Sequence, residues 1–330
     1  MRPFDYQRAE RLTHAAQLTA DADTLALAGG TNLIDLMKLQ VETPQTLVDI
    51  GRLSLGEIAD EGAGKARGLR IGALATNTAT AAHPRVRADY PVLARGILAG
   101  ATQQLRNKAT TGGNLCQRTR CYYFTNIDQP CNKREPGSGC GAIKGIARIH
   151  AVLGTSPHCI ATYPGDMAVA MAALDATVEI ASENSSRSVP VRGFHRLPGD
   201  TPERDNVLEP GEIITAVTLP APVGGIHLYR KVRERSSYAF ALCSVAAVIA
   251  LEDNRFTRAD LAFGGLAHKP WHDPRIADLL IGNEPSLALF DKAADLLLED
   301  AQGYGENDFK IPLARRTLAA VLCEATGVEP

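Results

Sequence analysis

The chain has 330 residues, a length typical of two domains. Hydrophobic residues make up 45% and charged residues 22% of it, which excludes a disordered chain and a fibrous repeat. The formal net charge of −2 argues against a nucleic-acid-coating protein, because such proteins need an excess of cations. The longest mostly apolar run, Tyr238 to Leu251, is too short to cross a bilayer, which takes about 20 residues.

The first half of the sequence alternates between helical and strand patterns. The predicted elements are helices over about 7–19 and 92–99, and strands at 24–28, 46–50 and 69–74. The periodicity stops between residues 117 and 148, where proline and glycine recur. A loop of that length is unusual in a compact domain, so we expect some group to hold it together.

The second half resumes with a helical stripe and ends in further strands and helices. The predicted elements are helices over 166–174, 289–297 and 313–322, and strands at 176–180, 242–251 and 261–265. The last two strands flank a turn at 253–255 and are expected to pair antiparallel, although the apolar run before the turn also fits a buried helix. Proline and glycine at 220–225 indicate a domain boundary.

Two Gly-Gly turns, at 28–33 and 109–115, share the pattern Gly-Gly-(Thr)-Asn-Leu. Paired glycines let main-chain N–H groups approach an anion, and successive N–H groups form a nest for phosphate. Neutral donors in the two turns are Thr31, Asn32, Thr110 and Asn114. These features indicate a dinucleotide diphosphate held without a lysine, with an ordinary turn as the alternative for each motif.

Five of the seven cysteines lie between Cys116 and Cys159. The odd number of cysteines and the chain length argue against a disulfide scaffold. The sequence has no C-x-x-C pair, the spacing typical of a zinc knuckle. A metal cluster bound by several thiolates could organise the long loop. The six basic and two acidic residues at 117–148 would offset the negative charge of such a cluster. A zinc site and unrelated free thiols remain alternatives.

Several motifs, taken together, resemble the FAD-binding subunits of the molybdenum hydroxylases, the family of xanthine and carbon monoxide dehydrogenases. The motifs occupy 28–33, 37–38, 105–114, 165–168, 229–233, 264–271 and 310–316. The resemblance implies an α+β fold. A two-part FAD-binding domain of the PCMH type would span 1–222. A smaller α/β domain, with an antiparallel sheet and helices like the C-terminal domain of carbon monoxide dehydrogenase flavoproteins, would span 223–330.

The cysteine loop, at about 116–160, resembles that of one branch of this family, the periplasmic aldehyde oxidoreductases. The 4-hydroxybenzoyl-CoA reductases are a second branch with such a loop. The resemblance implies a [4Fe–4S] cluster in addition to FAD. The implied cluster ligands are Cys121, Cys131, Cys140 and Cys159. The resemblance excludes Cys116 from the ligand set, whereas cysteine spacing alone could not exclude it.

The resemblance also implies which residues contact FAD. They are Ala26, Leu27, Ala28, Gly29, Gly30, Thr31, Asn32, Leu33, Ala101, Leu105, Thr110, Gly113, Asn114, Asp166 and Lys231. Two of them have simpler interpretations. Asp166 could be only a helix N-cap, and Lys231 could be a solvated strand lysine. No residue is assigned as catalytic, and of the eight histidines only His158 adjoins an implied ligand in the sequence.

The expected function is electron transfer within a heterotrimer. A large subunit with a molybdenum cofactor would oxidise an aldehyde, and a small [2Fe–2S] subunit would relay electrons to FAD and an external acceptor. The alternative functions are those of a 4-hydroxybenzoyl-CoA reductase subunit, a self-contained flavin oxidase and a zinc-stabilised binding protein. The N-terminus has no apolar signal core, so we expect a cytoplasmic protein, or a periplasmic one exported with a partner.

Overall fold

The computed structural model of the protein describes residues 1–62 and 67–329, and it has the expected α+β fold. The described residues form three sheets. A small parallel sheet comes first, a five-stranded antiparallel sheet follows, and a three-stranded antiparallel sheet belongs to the C-terminal part.

The first sheet is parallel, with strand order β1-β3-β2. Its elements are β1 (Asp5–Arg8), α1 (Leu12–Leu18), β2 (Thr24–Leu27), α2 (Leu33–Lys38) and β3 (Thr46–Asp49). The predicted helix over 7–19 is wrong at its start, because residues 5–8 pair with β3 as a strand. The helical apolar pattern begins only after this pairing ends, since a strand partner far along the chain overrides local periodicity.

The second sheet has the order β4-β5-β8-β6-β7. Its strands are β4 (Ile58–Glu61), β5 (Gly68–Gly72), β6 (Thr177–Ala181), β7 (Ser186–Pro190) and β8 (Ile213–Leu219). The helices are α3 (Asn77–Ala82), α4 (Pro84–Asp89), α5 (Pro91–Ala99), α6 (Gln103–Arg106), α7 (Thr111–Leu115), α8 (Tyr122–Thr125), α9 (Asp166–Ala173) and α10 (Val191–Phe194). All eight residues of α9 are buried, so this helix forms the centre of the main core.

The C-terminal part packs three helices on its antiparallel sheet. Its elements are β9 (Ile226–Val232), β10 (Cys243–Glu252), β11 (Arg255–Gly264), α11 (Pro274–Leu280), α12 (Leu287–Leu298) and α13 (Lys310–Thr326). The hairpin between β10 and β11 turns at Asp253 and Asn254, which both have positive φ, as a type I′ turn requires. The run at 242–251 is therefore a strand and not a buried helix, and β11 begins earlier than the predicted strand at 261–265.

The segment between α7 and α9 contains one short helix, α8, among the turns predicted for it. Side chains hold its backbone together. The guanidinium of Arg134 donates to the carbonyls of Tyr123 and Phe124, both at 2.9 Å, and the Tyr123 hydroxyl accepts the N–H of Ile146 at 2.7 Å. Across the residues that the structure describes, no helix is long and apolar enough to span a membrane.

Candidate cofactor site

The first Gly-Gly turn connects β2 to α2 and leaves a row of main-chain donors free. No acceptor among the described residues takes the N–H groups of residues 29–33. Gly30 has a φ of +73°, and a Cβ on Gly29 would collide with the carbonyl oxygen of Lys108. Glycine is therefore required here by conformation and by the close approach of the second motif. The row of free donors agrees with the predicted anion nest.

The second Gly-Gly motif is a short helix, α7, and its N–H groups are already used. The N–H of Gly112 donates to Ala73 at 2.8 Å, that of Gly113 to the Thr110 hydroxyl at 3.3 Å, and that of Asn114 to the Thr110 carbonyl at 2.8 Å. The prediction of a second phosphate nest is therefore wrong. The two glycines have no side chain, which lets the backbone of α7 pack closely against Ala73 and line the cavities described next.

Two cavities meet at these motifs. One, here called the inner cavity, has a volume of about 270 Å³ and reaches towards α9 and β9. The other, the outer cavity, has a volume of about 530 Å³ and lies along β2 and the segment at 203–212. Thr31, Asn32 and Gly113 line both of them. The free N–H groups thus lie at the junction of the two cavities, where the diphosphate of a dinucleotide would be held.

Every residue predicted to contact FAD lines at least one of the two cavities. The inner cavity is lined by Thr31, Asn32, Ala101, Leu105, Gly113, Asn114, Asp166 and Lys231. The outer cavity is lined by Ala26, Leu27, Ala28, Gly29, Gly30, Thr31, Asn32, Leu33, Thr110 and Gly113. The structure brings these distant sequence segments together. Their contact with FAD itself stays a prediction.

Asp166 and Lys231 form a buried ion pair at the wall of the inner cavity. The Lys231 Nζ lies 2.7 Å from Asp166 Oδ2, and the two side chains are only 5% and 6% exposed. Lys231 also donates to the Ala99 carbonyl at 3.0 Å, and the Tyr229 hydroxyl donates to Asp166 Oδ1 at 2.7 Å. The alternatives of an N-cap and a solvated lysine are both wrong, since Gly165 is the N-cap of α9.

Two buried oxygen atoms without hydrogen-bond partners indicate that the inner cavity favours a ligand with hydrogen-bond donors. The side-chain carbonyls of Asn32 and Asn77 are buried and have no hydrogen-bond partner among the residues described. Both residues line the inner cavity. Buried amide oxygens normally have partners, so a ligand with hydroxyl or N–H donors is expected between them. The ribityl chain and the isoalloxazine ring of a flavin have such groups, and the donor set therefore fits FAD.

Sequence analysis missed Arg120 as a residue of this cavity. Its Nε is buried without a hydrogen-bond partner in the described ranges, and its guanidinium lies over the Phe240 ring, 5.3 Å from the centroid. Burial lowers the pKa of Arg120, and the charge of Asp35 opposes that shift. Only its place in the Thr-Arg-Cys motif could have pointed to it. No carboxylate in the described ranges forms an ion pair with Arg120, so this cation is available to a ligand in the inner cavity.

The four cysteines implied as cluster ligands come together in one small core next to this site. Cys121, Cys131 and Cys159 are buried, and Cys140 packs against them, opposite Cys131 in an isolated β-bridge. Burial raises the pKa of the Cys121 thiol to about 12 and that of Cys159 to about 11, the latter against the charge of Lys133. All are free thiols, so the structure holds them close without a disulfide.

Cys116 lies apart from that group, as the resemblance implied. It packs against the main core and lines the outer cavity. In ranges 1–62 and 67–329, no three His, Cys, Asp or Glu side chains are grouped closely enough to hold a single metal ion. The [4Fe–4S] cluster therefore remains a prediction, carried by the shared core of the four thiols.

Part of the basic charge of the cysteine loop is compensated by carboxylates from outside the loop. Arg118 pairs with Glu42 at 2.5 Å and with Asp205 at 2.7 Å, and buried Lys133 pairs with Asp205 at 2.6 Å. We expected all the basic residues of the loop to offset the charge of a cluster. For Arg118 and Lys133 that expectation is wrong, because protein carboxylates neutralise them. Their partners come from outside the loop, which a count of charges within 117–148 could not reveal.

Two buried histidines touch the cysteine core, and sequence analysis identified neither. The Nε2 of His150 lies 3.1 Å from the Cys121 Sγ, and the Nε2 of His268 lies 3.3 Å from the Cys159 Sγ. His158, the sequence neighbour of Cys159, is instead about half-exposed and faces Asp200. Proximity in sequence therefore pointed to the wrong histidine.

The sequence matches two family descriptions that together span most of the chain. Residues 2–222 match the FAD binding domain in molybdopterin dehydrogenase. Residues 227–325 match the CO dehydrogenase flavoprotein C-terminal domain. The chain belongs to the FAD-binding subunits of the molybdenum hydroxylases. It is therefore a flavoprotein subunit of an oxidoreductase, with FAD as the supported cofactor, and the family resemblance is confirmed.

Relatives of known activity and solved structures agree with this assignment. The chain is 53% identical to the aldehyde oxidoreductase FAD-binding subunit PaoB of Escherichia coli strain K12, over 98% of this chain and 99% of the relative. It is 29% identical to the glyceraldehyde dehydrogenase medium chain of Sulfolobus acidocaldarius, over 85% and 82% of the two chains.

Among solved structures, carbon monoxide dehydrogenase from Oligotropha carboxidovorans superposes with a TM-score of 0.76 at 24% identity, covering 99% and 98% of the chains. Quinoline 2-oxidoreductase from Pseudomonas putida 86 superposes with a TM-score of 0.74 at 26% identity and the same coverage. The predicted fold class is therefore confirmed.

Proposed function

We propose that this subunit holds FAD and a [4Fe–4S] cluster and transfers electrons within a molybdenum-dependent aldehyde oxidoreductase. A large molybdenum subunit and a small [2Fe–2S] subunit would be its partners, and an external acceptor would take the electrons from FAD. The 53% identity to an aldehyde oxidoreductase FAD-binding subunit supports the choice of enzyme class. When bound, FAD accepts two electrons and an iron–sulfur cluster accepts one, so the pair can connect donors and acceptors of either kind.

One observation carries the proposal. Arg120 lines the inner cavity, and the next residue, Cys121, belongs to the cysteine core. Leu36 of α2, the helix that follows the first Gly-Gly turn, also packs in that core. The two candidate sites are thus adjacent, as an electron relay requires.

The orientation of FAD follows from the chemistry of the two cavities. The main-chain N–H groups of residues 29–33 would bind the diphosphate at the junction. The inner cavity would take the isoalloxazine ring, because it has Arg120 and the two amide oxygens without partners. The outer cavity would take the adenosine. Arg118 and Arg204 line that cavity but are paired with carboxylates, so the diphosphate depends on the backbone.

The test is cofactor analysis of the anaerobically purified chain. We expect flavin bands in the visible spectrum and about four iron and four sulfide per chain. Cys121→Ser should lose iron and largely keep FAD. Cys116→Ser is the matched control for iron, because this cysteine lies outside the cysteine core, and it should keep its iron. A protein with zinc and no iron, or iron unchanged in Cys121→Ser, would contradict the proposal.

A further inference from the structure

Two imidazoles from different parts of the chain reach two different sulfurs of the cysteine core. His150 lies in the second half of the cysteine loop and contacts Cys121. His268 follows β11 in the C-terminal part and contacts Cys159. Both rings are almost completely buried. The flavin site uses neither of them, and no carboxylate forms a hydrogen bond or an ion pair with either ring in the described part of the chain.

The opposite nitrogens of the two rings show where the proton lies. The Nδ1 atoms of His150 and His268 are buried and have no hydrogen-bond partner among the described residues. A neutral imidazole has one N–H, and burying that N–H without an acceptor is unfavourable. The proton is therefore more stable on Nε2, where the sulfur can accept it. The geometry thus selects the tautomer that points N–H at sulfur.

The backbone on which each ring is mounted is firmly held. The carbonyl of His150 accepts a hydrogen bond from the Nζ of fully buried Lys310 at 2.8 Å, and the N–H of His150 donates to Ala147 at 2.9 Å. The carbonyl of Ala267, next to His268, accepts the N–H of Tyr163 at 3.0 Å. These bonds fix the backbone from which each ring reaches its sulfur.

We propose that His150 and His268 donate N–H···S hydrogen bonds to Cys121 and Cys159 and so raise the reduction potential of the cluster that these cysteines bind. The inference rests on the proposed function, because it requires the cluster. Adding an electron makes the cluster more negative, and a donor at a ligand sulfur stabilises that charge. Both are positioning residues that act through the cysteine ligands. The C-terminal part would thus help set the potential through His268.

Redox titration of the anaerobically purified full chain tests this, with dithionite as the reductant and the EPR signal of the reduced cluster as the readout. His268→Phe and His150→Phe remove the donor while filling the space. Each should make reduction of the cluster about tenfold less favourable, a shift of about 59 mV for a one-electron couple. His268→Gln keeps an N–H and should return the potential towards that of the unmodified chain.

His158→Gln is the matched control, because it replaces a histidine adjoining Cys159 that touches no sulfur, and it should leave the potential unchanged.

If the phenylalanine variants lose iron, electron–nuclear double resonance on the unmodified reduced chain decides between the two outcomes. Exchangeable protons coupled to the cluster and lost in deuterium oxide support the inference, and their absence overturns it. Unshifted potentials in both phenylalanine variants with four irons also overturn it. A chain without iron contradicts the proposed function instead.

Discussion

The ammonium group of Lys231 lies 2.7 Å from the carboxylate of Asp166, with both side chains almost fully buried. Lys231 belongs to β9 in the C-terminal part, and Asp166 begins α9 in the main core. The pair therefore joins the two parts of the fold at the wall of the inner cavity. Both residues line that cavity, so a ligand there would lie against the pair.

Lys231→Met should leave the Asp166 carboxylate buried without its cation. We expect a loss of about 3–5 kcal/mol in the free energy of unfolding, together with reduced FAD content. Arg230→Gln is the control, since that neighbour forms an exposed ion pair with Glu324, worth at most about 1 kcal/mol. Urea unfolding of both variants checks this, and equal losses would contradict the role assigned to the buried pair.

Gly29→Ala should disturb the contact between the two Gly-Gly motifs, because the added methyl group would meet the Lys108 carbonyl oxygen. Overpacking of this kind costs about 1–3 kcal/mol, and the row of free N–H groups would move with it. FAD content after gel filtration should fall. Gly224→Ala, where a methyl group meets nothing within 4 Å, should bind FAD normally. Full FAD retention in Gly29→Ala would show that the close approach is not needed.

Arg120→Gln should weaken FAD binding while leaving the fold intact. A hydrogen bond to a charged group contributes about 1.5–3 kcal/mol, so the dissociation constant of FAD should rise about tenfold or more. Fluorescence titration of the deflavinated chain measures it. Lys144→Gln removes the same charge from an exposed position in the same loop and should change little. An unchanged dissociation constant in Arg120→Gln would remove this residue from the site.

His195 should make stability depend on pH. Burial lowers the pKa of His195 to about 4 in the folded chain, although its hydrogen bond to the Leu115 carbonyl opposes the shift. Its pKa in the unfolded chain is about 6.5. Between these values only the unfolded chain binds the proton. The free energy of unfolding should therefore fall by up to about 1.4 kcal/mol per pH unit as the pH drops from about 6.5 to 4.

His195→Gln keeps a donor for the Leu115 carbonyl but does not titrate. Its stability should fall less steeply over the same range, whereas above pH 7 the pH dependence of the two proteins should match. Urea unfolding at intervals between pH 4 and 8 compares the two slopes. Identical slopes below pH 6.5 would mean that this histidine is protonated in the folded chain.

Much of the fold was predictable from local patterns. The strand at 46–50 and the helices at 92–99 and 289–297 were found close to their observed bounds. Each helix has one apolar face at the helical period, and the strand is a short apolar run with Leu47 and Val48 buried. β1 was not, because four exposed residues carry no strand pattern until β3 pairs with them. Apolar and polar residues alternate along a strand when one of its faces is buried. An edge strand with no buried face therefore has no alternating pattern in its sequence.

The sequence by itself determined the glycine motif at 28–33 and the set of four cysteines, since these depend on residue type and order. Only the tertiary structure decided which charges and rings surround them. Asp205 reaches Lys133 across 72 residues, and His268 reaches Cys159 across 109. Such partners are selected by how the layers pack, and packing is a property of the whole chain that no local period encodes.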